Sequence, residues 1–495
     1  MRIGKMVSLT SFLGCFLFTT VCSETDKKTQ IENRFLLLDS RVIDQTENVR
    51  LQLGEVTKDP NNPLFEEDFW ADPPKPWEAR FDNMYPNVIY DKEDELFKIW
   101  YKSFVRDAAS EATPIEKRPF NRYSAAAEGR KRGILYAFSE DGINWTKPEL
   151  GLVEFQGRRD NNIVMLNFEG GVLKDKQDDD PARRFKMFGR IDTERQMASA
   201  FSEDGMEWSE PVPWPDYNAA GDAHNNAIWA PDLNKYVGIT RAWENRVRTV
   251  LRTKSTNFVN WSEPVEVLRG ENPSAQVYSM PVFYYGNVYL GLHSIIHGQS
   301  PHDLVDTELA WSPDTKNWQF ISPGEALIPR GGNREHYPDS DYDAGCIFAS
   351  VPIVKEDEML LYYGGSNYYH VNWRETSLNL ARLRLDGFAG YETDNSASGS
   401  VQTSLFTVNG GDFKVNADIK DAGSLRVAVL DEFGEEITGY TLEESQAIIR
   451  NATDESITWN GNDLSALNGK KVAFRFEIEN AKIYSFSGNL EFLDL

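Results

Sequence analysis

The segment SEDGINWTKP (139–148) decides the fold, because its pattern returns three more times along the chain. Each copy has a serine, an aspartate or asparagine two residues later, and a tryptophan four residues after that. The four copies are Ser139-Asp141-Trp145, Ser202-Asp204-Trp208, Ser255-Asn257-Trp261 and Ser312-Asp314-Trp318. Asp-Gly in the first two copies favours a tight turn, and the tryptophan supplies a large apolar anchor. The pattern therefore predicts a repeated β-unit of one four-stranded sheet with its loops.

Two apolar strands accompany the repeat and define its number. The second strand of each pair is FKIWYK (97–102), FKMFGR (185–190), YVGITR (236–241), VYLGLH (288–293) or MLLYYG (359–364). The first strands, in the same order, are MYPNVIY, NNIVMLN, NNAIWA, SMPVFYY and AGCIFASVPIV. Five pairs predict an all-β fold class, a five-bladed β-propeller with a pocket on its axis. The alternative is a pair of β-sandwiches with coincidental repeats.

The propeller is expected to occupy residues 65–392, with a polar linker over 393–400. Residues 401–495 alternate apolar and polar side chains and predict a C-terminal β-sandwich with a structural or substrate-presenting role. The N-terminal segment 23–64 is expected to pack on the propeller. Its strand RFLLLDSRVI (34–43) either packs there or completes a blade, and the sequence leaves both readings open.

Residues 1–22 have the pattern of a signal or lipoprotein peptide. Arg2 and Lys5 precede a largely apolar run that is too short to span a bilayer comfortably. Cys22 is followed by polar residues, as at a bacterial lipoprotein junction. We therefore expect an exported protein, extracellular, periplasmic or on the cell surface. A lipid anchor at Cys22 and free secretion remain alternatives.

The charge of the chain restricts its partners. Acidic residues outnumber basic ones 77 to 52, which gives a formal net charge of −25. Such a field repels phosphate backbones and argues against a nucleic-acid partner. It does not exclude a small anionic ligand, because a local basic pocket can outweigh distant, screened charges.

Several stretches resemble a known group of enzymes. WEARFDNMYPNVIYD, FSEDGINWTKPELGLVEF, NNIV, DPARRFKMF and LLYYGG resemble secreted proteins related to glycoside hydrolase families 32 and 43. The resemblance covers about residues 65–392 and implies a five-bladed propeller that acts on sugars at its axial pocket. It also implies three carboxylates: a base or nucleophile, an aspartate that modulates pKa, and a glutamate as general acid.

Three stretches of this chain correspond to those three carboxylates. They are Asp82-Asn83, Asp160-Asn161 and the segment Asp222-Ala223-His224-Asn225. The third stretch has no glutamate, which departs from the hydrolytic pattern. Asp343 is a further candidate for a pair of catalytic carboxylates, which hydrolysis requires.

The sixth position of the second strand is basic in four of the five predicted blades. The residues there are Lys102, Arg190, Arg241, His293 and, in the last copy, Gly364. If this position faces the axis, the pocket is cationic and suits carboxylate or sulfate groups. Further substrate-binding candidates are Asn83, Asn225, Glu335, His336 and Tyr337.

Histidine and tyrosine near a bound uronate suit another chemistry. A neutral histidine can remove the proton next to a carboxylate, and His224 and His293 are the candidates for this base. That reaction is β-elimination, the chemistry of a lyase or dehydratase. No cofactor motif is present, and a calcium site formed by Asp341, Asp343 and Glu335 is a weak alternative.

Three functions follow from these patterns. The function that we expect is hydrolysis of glycosidic bonds in acidic oligosaccharides that carry uronate or sulfate groups, which the resemblance favours; the other two are alternatives. The basic positions and the absent glutamate favour β-elimination next to a uronate carboxylate. A noncatalytic, glycan-binding propeller is the third reading. In all three, the partner is an acidic oligosaccharide.

Overall fold

The computed structural model describes residues 33–119, 121–123, 129–270, 273–298, 302–333, 340–393 and 398–493. Within these ranges the only α-helix is the short Ala108–Ala112. The 3-10 helices of the same ranges are Ser40–Val42, Ile115–Lys117, Pro181–Arg183 and Leu464–Leu467. None of the described helices is long and apolar enough to cross a membrane. The predicted signal peptide 1–22, with Cys22, lies outside the described residues.

The strands outside the C-terminal sheet form five groups, here called units. Units 1 to 3 are separate four-stranded antiparallel sheets, whereas a parallel bridge between Val305 and Cys346 joins units 4 and 5 in one ten-stranded sheet. The number of blades stays a prediction. Unit 1 contains Asn87–Asp91, Leu96–Arg106, Lys131–Ser139 and Ile163–Leu166. Unit 2 contains Phe168–Lys174, Phe185–Ile191, Gln196–Ser202 and Val212–Pro213. Unit 3 contains Asn226–Ala230, Lys235–Glu244, Val247–Ser255 and Val265–Arg269. Unit 4 contains Ala275–Ser279, Val282–Tyr285, Val288–His297, Leu304–Ser312 and Gln319–Ile321. Unit 5 contains Cys346–Ala349, Ile353–Val354, Glu358–Ser366, Thr376–Arg384 and the N-terminal strand Val56–Lys58.

The first strands of units 1 to 3, together with Val282–Tyr285 of unit 4 and residues 350–354 of unit 5, surround one cavity of about 380 Å³, here called the lower axial cavity. Each unit contributes to its lining, for example through Asn87, Val172, Asn226, Val282 and Val351. Strands far apart in sequence therefore face a common axis. The all-β propeller fold predicted from the repeats is confirmed.

The repeated Ser-Asp-Trp segments form one kind of turn in units 1 to 4, directly after the strands Lys131–Ser139, Gln196–Ser202, Val247–Ser255 and Leu304–Ser312. In unit 1, Ser139 Oγ donates to Asp141 Oδ1 at 2.9 Å. The same Oδ1 accepts from the backbone N–H groups of Ile143 at 2.8 Å and Asn144 at 2.7 Å. The corresponding aspartate or asparagine makes equivalent bonds in the next three units. The sequence pattern recurs once in each of units 1 to 4 because each of these turns depends on the same side-chain acceptor.

The N-terminal strand Val56–Lys58 closes unit 5 by pairing with Thr376–Arg384. Lys58 Nζ lies 2.6 Å from Asp343 Oδ2, and Tyr363 Oη donates to the same oxygen at 2.8 Å. The Asp343 carboxylate is buried in these contacts. It thus fixes the closing strand, which differs from the catalytic position that we expected for it.

The earlier N-terminal strands belong to the C-terminal part of the molecule. Arg34–Leu36 pairs with the long strand Lys471–Phe492, and Ile43–Glu47 pairs with Ser398–Thr403. The eight strands of this sheet are Arg34–Leu36, Ile43–Glu47, Val49–Leu53, Ala389–Thr393, Ser398–Thr403, Phe406–Leu430, Ala452–Ser456 and Lys471–Phe492. The segment that we expected to pack on the propeller therefore pairs with both parts. Strands also occupy both ends of the expected linker, of which residues 394–397 lie outside the described ranges.

One buried carboxylate joins the two parts. Asp386 follows unit 5 and is fully buried. It accepts hydrogen bonds from Tyr285 of unit 4 and from Ser485 and Arg34 of the C-terminal sheet. Because removing one partner of a buried charge is costly, this contact holds the C-terminal sheet against units 4 and 5.

Candidate active site

The candidate site begins at a strained segment before the first strand of unit 1. Asp82, Met84 and Tyr85 have φ values of 59°, 60° and 45°, a left-handed region that side chains other than glycine rarely adopt. Two donors hold this backbone: Arg374 Nη1 and Thr376 Oγ1 each donate to the Asp82 carbonyl at 2.6 Å. Strain that the surroundings maintain in this way is concentrated at functional sites.

Cations surround the Asp82 carboxylate. Its Oδ1 lies 3.1 Å from Arg374 Nη2, and its Oδ2 lies 3.8 Å from Lys102 Nζ. Burial alone would raise the pKa of the Asp82 carboxyl, but these cations, Arg374 first, hold that pKa well below its usual range. Asn83, the neighbouring candidate, accepts from Arg374 Nη2 at 2.8 Å and donates to Tyr85 Oη at 2.9 Å. Asp82 is therefore an anion fixed by ion pairs.

The sequence analysis missed a glutamate next to Asp82. Glu169 lies in the first strand of unit 2 and is buried. Its Oε1 is 3.0 Å from Arg190 Nη2, and its Oε2 is 3.2 Å from Lys102 Nζ. Lys102 therefore contacts both Glu169 and Asp82. The available signal in the sequence was the pair of glycines that follows Glu169, because glycine inside a strand often marks the close approach of another backbone. The structure shows such an approach: a Cβ at Gly171 would lie 2.2 Å from the Asn225 carbonyl oxygen.

The position expected for unit 2 was wrong by one strand. NNIVMLN contains Ile163–Leu166, which is the outer strand of unit 1 rather than the first strand of unit 2. As a result, Asp160 lies on the surface, where its carboxylate pairs with the exposed Arg158. Asp160 is not among the residues that the structure brings to the axis.

The Asp222 carboxylate, 39% exposed, faces a second group of arginines. Its Oδ1 lies 2.8 Å from Arg241 Nη2. Burial would raise the pKa of the Asp222 carboxyl, but Arg241 outweighs it and the pKa is lowered. Asp222 also lines a cavity of about 730 Å³, here called the arginine cavity. The charged and aromatic residues around this cavity are Arg130, Arg132, Arg190, Asp192, Arg195, Asp222 and Trp243.

Arg248 is a guanidinium group without an ion pair among the described residues. It comes from the third strand of unit 3 and lies 4.2 Å from the Trp243 ring and 4.9 Å from the Tyr278 ring. Its Nη1 donates to Gln276 at 3.1 Å, whereas its buried Nε has no hydrogen-bond partner. Burial, followed by the nearby Arg241, lowers the pKa of Arg248.

Two histidines lie at the axis, and both are neutral. His224, a predicted residue, stacks on Tyr85 and contacts Asn87 Oδ1 at 3.3 Å, beside the lower axial cavity. Burial, with Lys102 nearby, lowers the pKa of His224 to about 3. His370, which the sequence analysis did not select, lies with its Nε2 3.2 Å from Tyr278 Oη. Burial and Arg374 lower its pKa well below the usual value.

The predicted basic positions converge only in part. Lys102 and Arg190 both contact Glu169, and Arg241 joins Asp222 to Tyr278, whose carbonyl it contacts at 3.2 Å. His293, in contrast, packs on Phe320 of the outer strand of unit 4 and lies 3.6 Å from Glu308. Its side chain is therefore directed into unit 4 rather than towards the residues at the axis.

Asn225 has an internal role in unit 3. It donates to the Gly221 carbonyl at 2.7 Å and accepts from Thr240 Oγ1 at 2.6 Å. The other predicted substrate-binding residues, Glu335, His336 and Tyr337, lie outside the described residues. In the part of the chain that the structure describes, no group of three or more His, Cys, Asp or Glu side chains could hold a metal ion. The calcium alternative has no support from Asp343, whose carboxylate binds Lys58.

Comparison with known proteins finds similar structures only. No protein-family model and no curated protein matches the chain. An N-acetylgalactosamine deacetylase from F. plautii, in complex with blood group B trisaccharide, is 13% identical, with a TM-score of 0.45 over 67% of this chain and 96% of the other. A structure described for glycoside hydrolases of family GH130 that target β-1,2 mannosidic linkages in Candida mannan is 14% identical, with a TM-score of 0.42 over 66% and 94%. At these scores the likeness does not assign an activity, and the resemblance to families 32 and 43 stays a prediction.

Proposed function

We propose that this chain is a carbohydrate-active enzyme that acts on acidic oligosaccharides by β-elimination next to a uronate carboxylate. The observation that carries the proposal is the position of Arg248. This cation has no ion pair among the described residues and lies against Tyr278, whose hydroxyl contacts the neutral His370. An uncompensated guanidinium beside a tyrosine–histidine pair suits a substrate that brings its own carboxylate.

The substrate carboxylate would bind Arg248. A guanidinium group can bind a carboxylate through two parallel N–H bonds, and a partly desolvated ion pair of this kind is stronger than one in water. Trp243 is 45% exposed beside Arg248 and offers its ring to the sugar. Binding would neutralise Arg248 and add negative charge close to the axis. Since nearby anions raise the pKa of a histidine, His370 becomes a better base when the substrate is bound.

The tyrosine–histidine pair can supply both proton transfers. His370 takes the phenolic proton of Tyr278, and Arg241, 4.7 Å from the Tyr278 ring, stabilises the phenolate. The phenolate then removes the proton on the carbon next to the carboxylate. A carbon–carbon double bond forms as the carbon–oxygen bond at the β-position breaks, and the leaving oxygen takes the proton held by His370. The pair returns to its starting state, and the leaving group is either a sugar or water.

Hydrolysis is the second candidate, and one observation favours it. Asp82, Glu169 and Asp222 come from the starts of three successive units, as the resemblance implies. Hydrolysis, however, needs a carboxylic acid that is protonated at the working pH. Each of these carboxylates already contacts an arginine or lysine, and the lowered pKa of Asp82 and of Asp222 opposes protonation. The charge distribution therefore supports elimination better.

Ultraviolet absorbance and product mass test the proposal together. A panel of oligosaccharides with and without uronate residues is incubated with the protein. Elimination creates an unsaturated uronate that absorbs in the ultraviolet, and mass spectrometry distinguishes loss of water from chain cleavage. New reducing ends without ultraviolet absorbance would replace elimination by hydrolysis. Binding without any product would support the glycan-binding reading instead.

A further inference from the structure

The arginine cavity contains a cation that the proposed chemistry does not use. Three of its four arginines are held by carboxylates. Arg130 Nε lies 2.8 Å from Asp107, and Arg190 Nη2 lies 3.0 Å from Glu169. Arg132 pairs with Asp192. These contacts fix three guanidinium groups in place and compensate most of their charge.

Arg195 is the exception. It lies in the turn between Phe185–Ile191 and Gln196–Ser202, lines the cavity and is exposed. Its side chain makes no ion pair with any described residue, and its backbone carbonyl is held by Asn218 at 3.1 Å. Its φ of 54° is left-handed, a conformation that turns usually give to glycine or asparagine. The turn therefore presents an unmatched positive charge at the cavity.

Trp243 lies between the arginine cavity and the proposed binding position of the uronate at Arg248. Trp243 lines the cavity and also lies 4.2 Å from Arg248. A volume of about 730 Å³ falls in the range of pockets that hold small ligands. A sugar next to the reacting uronate therefore has room beside Trp243. Arg248 and Arg195, neither of which forms an ion pair with a described residue, would then contact two successive sugar residues.

We infer that the arginine cavity is a second anion subsite, in which Arg195 binds a sulfate or carboxylate on the sugar next to the reacting uronate. This inference rests on the proposed function and narrows its substrate to oligosaccharides with two neighbouring anionic residues. Arg132 and Arg190, fixed by their carboxylates, retain further N–H groups with which they can assist the same oxyanion. A preorganised group of this kind loses little entropy when the ligand binds.

Arg246 provides a matched control for Arg195. It is an exposed arginine in the corresponding turn of unit 3, with a left-handed φ of 66°, and it does not line the arginine cavity. Asparagine tolerates this backbone conformation. Arg195→Asn and Arg246→Asn therefore remove the same charge with the same small change of turn preference.

The test uses three disaccharides with the same reacting uronate. The neighbouring sugar is sulfated in the first, carries a carboxylate in the second and is neutral in the third. We expect Arg195→Asn to lower kcat/KM about 10-fold on an anionic disaccharide, mainly through KM, and to leave the neutral one within about two-fold. Arg246→Asn should match the unchanged protein on all three. Comparison of the first two disaccharides identifies which oxyanion is preferred.

An equal loss on all three disaccharides, or no loss on any, would overturn the inference. Binding of the same disaccharides is measured in parallel by calorimetry, so that the subsite is tested even without turnover. If no disaccharide gives an unsaturated product but Arg195→Asn still weakens binding of an anionic one, the proposed reaction fails and the subsite stands. If the unchanged protein eliminates from all three equally well, the subsite fails and the reaction stands.

Discussion

The histidines at the axis and a histidine of unit 4 have pKa values that are shifted in opposite directions. At the axis, His224 and His370 are buried near lysine and arginine, and their pKa values are lowered. In unit 4, His297 lies 3.3 Å from Asp306 and 3.6 Å from Glu308. The hydrogen bonds that His297 donates to these carboxylates raise its pKa to about 9. The surroundings, rather than the residue type, decide which histidine is available as a base at neutral pH.

The largest expected difference is between a variant that lacks a histidine at the axis and one that lacks the histidine of unit 4. His370→Gln should lower kcat by about 10²–10⁴-fold, the range for loss of a general acid–base group. His297→Gln should leave kcat within about two-fold, because its carboxylate partners occupy it away from the axis. Initial rates of product absorbance measure both variants, and circular dichroism checks that they fold. Equal losses of kcat in the two variants would show that the axial histidine and the histidine of unit 4 do not differ in the way described.

Arg248, the cation beside Tyr278, is expected to bind the substrate carboxylate near the axial histidines. Arg248→Gln should lower kcat/KM by about 10–100-fold, mostly through KM, because a charge-assisted contact to the substrate carboxylate is lost. Arg248→Lys should recover part of the loss, since it restores the charge without the planar fork. Steady-state kinetics on a uronate oligosaccharide give both values. An unchanged KM in Arg248→Gln would exclude Arg248 as the carboxylate ligand.

The opposite pKa shifts predict opposite effects of pH on stability. The pKa of His297 rises from 6.5 to about 9 on folding. Its contribution is therefore fully present below the unfolded value and is lost as the pH rises through the folded value. The pKa of His224 falls from 6.5 to about 3. The unfolded chain takes up a proton there that the folded chain excludes, so stability falls as the pH drops below the unfolded value.

Thermal unfolding across this pH range measures both effects. The Tm difference between the unchanged protein and His297→Gln should shrink between about pH 6 and pH 10. Below about pH 6, the Tm of the unchanged protein should fall more steeply than that of His224→Gln. Parallel curves in both comparisons would show that these histidines do not have the charge states described.

The smallest effect is expected at Asp160. Its carboxylate is exposed and, among the residues that the structure describes, forms an ion pair with Arg158 alone. Asp160→Asn should change kcat/KM by less than about two-fold, because surface ion pairs contribute little. A large loss would mean that Asp160 belongs to the reacting group after all. The same kinetic assay decides this.

The sequence was sufficient for the fold because each unit depends on local chemistry. The Ser-Asp-Trp turns depend on side chains only two to six residues apart, so their spacing could be read directly. The first strand of unit 2 was missed for a related reason. Ile163–Leu166 and Phe168–Lys174 are both apolar and are separated by one residue, Asn167. Periodicity alone does not tell the last strand of one unit from the first strand of the next.

The site could be predicted only where the units repeat. Lys102, Arg190 and Arg241 occupy one topological position, which made their convergence predictable. Arg248 and His370 were not selected from the repeat, and they meet at Tyr278 through tertiary contacts between units 3, 4 and 5. The roles proposed for both residues depend on their charge states, and these are set by partners from other units. No spacing within one segment could have revealed it.

The reaction itself is the most direct test of the central claim, which is that the axial group eliminates rather than hydrolyses. The protein is incubated with a uronate oligosaccharide in water enriched in heavy oxygen, and the products are analysed by mass spectrometry. Elimination breaks the carbon–oxygen bond without adding water, so the account predicts an unsaturated product that contains no heavy oxygen. A saturated product with heavy oxygen at a new reducing end would contradict it.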